Sequence, residues 1–156
     1  IMDRTLLSPV IDIFHLLAPV LWVGLLVGVS FVATPVKFNA TSLSLPVALD
    51  VGRVTFAFFN AVEWVALAFL VVAVVLSGTS TFPSVATALL AIVLIVQTVW
   101  LLPVLNERIA AIIAGHPPSP ASYHYLYIGL DLVKAGLLVA IAWAQALKLL
   151  AEFPRT

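Results

Sequence analysis

Four long apolar stretches, separated by short runs rich in proline, glycine and serine, constrain this chain more than any motif in it. The first runs from Val10 to about Phe31 and is expected to end before Thr34-Pro35. The second continues from Val54 through Trp64 to Leu76, and Ser44-Leu45-Pro46 reads as its helix start, with Ser44 as N-cap and Pro46 in the first turn. The third follows Pro83 and the fourth follows the breaker Gly115-His116-Pro117-Pro118-Ser119-Pro120. The predicted helices are therefore about 10–33, 46–77, 84–114 and 122–151. Each is long enough for the about 20 apolar residues that cross ~30 Å of hydrocarbon.

The composition supports this reading. Of 156 residues, 63% are hydrophobic and 9% charged, too few charges to cover the surface of so small a soluble domain. In lipid every backbone polar group must be satisfied internally, so the spans are helices, and short connections pack them antiparallel. The expected fold is all-α: one integral membrane domain, a four-transmembrane-helix antiparallel bundle. Segment 10–33 exceeds the apolar core of a signal peptide and reads as a retained span. Pro103 is expected to kink the third helix or end its regular part. Gly24 and Gly28 form a small-xxx-small pattern that could meet Gly129 and Gly136 on the fourth helix. Trp64 and Trp100 are the better candidates for an interfacial belt.

Seven Lys+Arg balance seven Asp+Glu, which removes the electrostatic case for nucleic acid. The chain has no cysteine, which excludes disulfides, iron–sulfur clusters and thiolate zinc sites. Arg4, Lys148 and Arg155 fall on one side of the membrane, and Lys37, Arg53 and Arg108 on the other. This symmetry leaves orientation open.

The polar residues inside the spans carry the functional signal. Asn60 and Glu63 lie one turn apart on the second helix, and Asp131 and Lys134 one turn apart on the fourth. Glu63 is roughly 13 Å in from Arg53, with Asp131 at a similar depth. Gln97 reaches that level from the third helix, and Arg53, Asn106, Arg108 and His124 sit at the rim. A charge at mid-bilayer costs about 2.5–3.5 kcal/mol on insertion scales, so Glu63, Asp131 and Lys134 are expected to face the interior. Two readings follow. One is a polar pocket or ion path with Glu63 or Asp131 as a proton-exchanging carboxylate beside Lys134. The other is an internal clamp, with Asp131 paired to Lys134 and Glu63 paired to Arg53 or Arg108. At the opposite end, Asp12 and His15 share a face near Lys148 and read as a rim salt bridge.

Other chemistries find little support. His15 near the start of the first helix and His124 at the start of the fourth lie on opposite sides of the membrane, roughly 20 Å apart, too far to ligate one haem. His15 followed by Trp22-Val23-Gly24 is similar to copper-resistance and haem-synthesis membrane proteins and leaves a single-histidine haem as a third reading. Glu63, His124 and Asp131 are the one combination of residues suited to a metal. No Ser-His-Asp order, phosphate loop or HExxH motif is present. Asn60-Ala61-Val62-Glu63 matches the N-x-x-E element of membrane-bound glutathione-metabolising enzymes, but Phe56 stands where those enzymes have arginine.

The order of short motifs resembles an uncharacterised four-helix membrane family related to transmembrane protein 205, which is associated with cisplatin resistance. The resemblance rests on Trp22-Val23-Gly24, Phe31-Val32-Ala33-Thr34-Pro35-Val36-Lys37-Phe38, Leu45-Pro46, Gly52-Arg53-Val54, Leu102-Pro103-Val104-Leu105-Asn106 and Tyr123-His124-Tyr125. It covers most of the chain and implies a four-helix fold and transport or export. Asp131 and Lys134 depart from the apolar or small-polar pattern of that family after the histidine.

The expected protein is thus a small transport or ion-coupled binding protein of the bilayer, in a bacterial inner membrane. Glu63, Asp131 and Lys134 form the site, with Arg53, Asn60, Gln97 and His124 around it. No resident cofactor or metal is expected. A path forms more easily between protomers of a homo-oligomer than within four helices. The alternative is a structural or accessory subunit of a larger membrane complex.

Overall fold

Each apolar stretch forms one long helix in the structure, a computed structural model that describes residues 4–78, 81–116 and 122–152. Helix α1 runs through Arg4–Leu26, a π-helical segment Val27–Ala33 and a last turn Thr34–Lys37. Helix α2 spans Leu45–Ser77. Helix α3 runs through Thr81–Val96, a π segment Gln97–Leu101 and Leu102–Ile113. Helix α4 spans Ser122–Glu152. Residues 1–3, 79–80, 117–121 and 153–156 lie outside the described residues, and with them Arg155, part of the first turn and most of the 115–120 breaker.

Sequence chemistry explains the ends. Ser44 is extended (φ −69°, ψ 153°) and Pro46 sits in the first turn of α2, where its missing N–H costs nothing. Gly78 (φ 55°) and Gly115 (φ 84°) close α2 and α3 in the left-handed region, which glycine enters without a Cβ penalty.

Pro35 does less than expected, and at Pro103 the regular α-helix is interrupted without ending the span. Helix α1 does not end before Thr34-Pro35, and α3 continues through Pro103 to Ile113. In both helices a π segment ends two residues before the proline. Thr34 N–H donates to the Val29 carbonyl and Leu102 N–H to the Gln97 carbonyl, each five residues back. The widened turn takes up the missing donor and the ring that would otherwise meet the carbonyl four residues earlier. Thr34 Oγ1 also donates to the Val29 carbonyl at 2.8 Å.

The helices form an antiparallel ring in which each packs on its chain neighbours and α1 closes against α4. The core is apolar, centred on Leu26, Leu70, Leu90, Leu94, Leu138 and Ile141. The outer surface is apolar too: Phe58, Val75, Val99 and Trp143 are each about 70% exposed. A continuous apolar exterior of this kind is at home in hydrocarbon, and all four helices are long and apolar enough to cross a membrane. The chain is a membrane protein. Trp64 and Trp100 are exposed, as the belt reading requires, whereas Trp22 is buried. Among the described residues the glycine pattern is not used: a Cβ built at Gly24, Gly28, Gly129 or Gly136 would meet no atom of another helix within 4 Å.

Candidate functional site

All four helices send polar side chains to one level of the interior. On α4, Tyr127, Asp131, Lys134, Leu138, Ile141 and Gln145 form one buried stripe at helical spacing. On α2, Asn60, Glu63, Leu67 and Leu70 do the same. Trp22 from α1 and Gln97 from α3 complete the set.

Lys134 is its centre. Its Nζ lies 2.5 Å from Glu63 Oε1 and 3.0 Å from Asp131 Oδ1. Trp22 Nε1 donates to the same Glu63 oxygen at 3.1 Å, and Gln97 Nε2 donates to Asp131 Oδ1 at 2.9 Å. The side chains of Glu63 and Lys134 are fully buried, and Asp131 nearly so. Charge-assisted hydrogen bonds of this kind are short and strong, and they tie α1, α2, α3 and α4 together.

The charges do not cancel. When ionised, two carboxylates and one ammonium leave one negative charge in a buried, low-dielectric place, where an uncompensated charge is expensive. Glu63 Oε2, Gln97 Oε1 and the Tyr127 hydroxyl are also buried without a hydrogen-bond partner among the described residues. Native interiors rarely leave such atoms unpaired without a reason.

Asp131 joins this network to a cavity of about 440 Å³ lined by the ends of α1 and α3 and the starts of α2 and α4. The walls are apolar, formed mainly by Phe56, Leu102, Leu105, Ile109 and Ile112. Ser30 and Thr34, at the π segment of α1, also line it, and the π segment of α3 carries Gln97. π segments occur frequently at functional sites. Lys37, Arg53, Arg108 and His124 bring positive charge or imidazole to the same cavity.

The sequence-predicted residues divide into three groups. Glu63, Asp131, Lys134 and Gln97 come together as one bonded cluster. Asn60 is buried, but its amide donates to Thr98 Oγ1 at 3.0 Å and serves as a tie between α2 and α3. Arg53 and His124 line the cavity without touching the ion cluster. Arg53 does not pair with Glu63: it is held 2.5 Å from Asp50, one turn back on its own helix and half-exposed, which a residue at the rim reaches with far less desolvation. Glu63 finds Lys134 instead. His124 sits at the rim, and among the described residues no three metal-ligating side chains converge, so Glu63, His124 and Asp131 do not form one centre.

A second polar cluster occupies the other end. Asp12 Oδ1 accepts from Lys148 Nζ at 2.8 Å and from Gln145 Nε2 at 3.0 Å, and His15 Nδ1 lies 3.1 Å from Ser77 Oγ. The Asp12–Lys148 bridge is the one expected there. Between the two clusters, Leu67, Leu70, Leu138 and Ile141 are all buried. The ion cluster therefore lies beside an open cavity on one side and behind an apolar plug on the other.

Trp22, Thr98, Tyr127 and Gln145 were not expected in these networks. The helical period carried a signal for three of them: Tyr127 and Gln145 fall on the Asp131–Lys134 face, and Trp22 lies two turns from His15. Thr98 had only its place beside Gln97. Comparison of the chain with protein-family models, curated proteins and solved structures gives no match.

Proposed function

We propose that the protein is a proton-coupled transport or binding protein of a bacterial inner membrane, with the Glu63–Lys134–Asp131 cluster as the coupling site. The observation that carries this reading is the uncompensated charge: two carboxylates share one ammonium, all three buried, and one of the carboxylates lines a cavity. One exchangeable proton balances the cluster. A ligand entering the cavity changes the surroundings of Asp131 directly and those of Glu63 through Lys134. That is the differential interaction that coupling requires.

The apolar plug supports the same view, because a site that exchanges its proton with one face at a time needs a barrier toward the other. Opening the far side requires Leu67, Leu70, Leu138 and Ile141 to part, which a shift of α4 against α2 within a homo-oligomer would accomplish. The resemblance to the four-helix family related to transmembrane protein 205 points in the same direction, toward transport or export.

The test is proton entry into liposomes carrying the purified protein and a trapped pH indicator, driven by an inside-negative potassium diffusion potential. Wild-type protein is expected to acidify the lumen faster than Glu63→Gln or Asp131→Asn protein. Equal rates for all three would refute the coupling role.

A further inference from the structure

We infer that the cavity takes an amphiphile with an anionic head and an apolar chain, its head held by Lys37 and Arg108. This rests on the reading of the cavity as a binding site and adds the chemistry of what enters it. The first support is charge. Arg53 has its counter-ion in Asp50, but among the described residues neither Lys37 nor Arg108 has a carboxylate within ion-pair distance. Both line the cavity, and His124 stands within electrostatic reach of the two of them. A cationic head would meet like charge there.

The second support is a shaped seat for the lysine. A Cβ on Gly52 would collide with Lys37 Nζ, which therefore lies against the backbone of α2 in the space that glycine leaves. The buried glycine leaves room for the ammonium to lie at the cavity wall. The third is the wall itself. Below these cations the lining is Phe56, Leu102, Leu105, Ile109 and Ile112, a surface for methylenes and not for a hydrated ion. The volume of about 440 Å³ falls within the range of small-molecule sites. An anionic head with an apolar body satisfies both halves of the cavity. A hydrophilic anion satisfies only one.

The test uses full-length protein in phosphatidylcholine nanodiscs, with laurate, dodecyl phosphate and dodecyltrimethylammonium as probes, read by thermal shift and native mass spectrometry. Laurate and dodecyl phosphate are expected to bind and raise Tm, and dodecyltrimethylammonium to do neither. Replacing both Lys37 and Arg108 by alanine should weaken laurate binding by about ten-fold or more, the loss expected for charge-assisted contacts. Gly52→Ala should weaken it too while keeping both cations, so that a folding defect in the double variant cannot decide the outcome. Asp12→Asn, at the far end, is the unchanged control. Equal binding of the anionic and cationic probes, or laurate affinity insensitive to both changes, would overturn the inference. Exchanging the disc lipid for phosphatidylglycerol separates two sources of the same chemistry: competition with laurate assigns the site to a lipid headgroup, and no competition to a free amphiphile. Proton entry and laurate affinity are separate readouts, so either reading can fail while the other stands.

Discussion

Lys134 Nζ lies 2.5 Å from Glu63 Oε1 with both side chains fully buried, so the shortest ion pair in the interior joins α4 to α2, helices that face each other across the ring. Lys134 is also bonded to Asp131 on its own helix. One cation thus serves two carboxylates, and the three are not equivalent in what their loss would do.

Replacing Lys134 by methionine leaves two buried carboxylates without a cation, and should cost about 3–5 kcal/mol of stability. Glu63→Gln keeps an oxygen for Trp22 and Lys134, and leaves a neutral Lys134–Asp131 pair. It should change stability by no more than ~1 kcal/mol. Thermal denaturation in detergent should therefore rank wild type and Glu63→Gln together, well above Lys134→Met. The reverse order would mean that Glu63, and not Lys134, is the structural centre.

The far cluster should behave differently. Asp12 accepts from both Gln145 and Lys148, and Lys148 is more than a third exposed. Asp12→Asn is therefore expected to cost only about 1 kcal/mol and to leave proton entry unchanged. A loss of proton entry in this variant would place a second ionic site on the path.

How much of this was legible in the sequence depends on whether the cause was local. The four spans were readable because apolar length and flanking Ser44-Leu45-Pro46, Gly78 and Gly115 are properties of one segment. The Asp131–Lys134 pair was readable because three residues make one helical turn. Glu63 and Lys134 sit on opposite helices of the ring, and nothing in either segment says which cation Glu63 will meet; Arg53 looked nearer along the chain but satisfied itself with Asp50. Pro35 was read as a helix end, and Pro103 as a kink or the end of the regular part, because the rule for proline assumes α-helical geometry. The π segments before them relax that assumption. Gly24 and Gly28 had the composition of a packing face, but whether a face is used is decided by the neighbouring helix.

The absence of cysteine makes the topology directly testable. Single cysteines at Thr41 and His116, both exposed, should react with a membrane-impermeant maleimide from one side of the bilayer. A cysteine at Thr81, also exposed, should react only from the other. Labelling of all three from the same side would contradict four crossings.

The most direct test of the coupling site is infrared difference spectroscopy of the reconstituted protein during a pH titration, which reads the protonation of buried carboxyl groups without needing a substrate. Wild-type protein should show one carboxylic-acid band that appears as pH falls, and the band should be lost or displaced in Glu63→Gln and Asp131→Asn. A spectrum with no titrating buried carboxyl, identical in wild type and both variants, would mean that Glu63, Asp131 and Lys134 form a permanent clamp and not a proton-exchanging site.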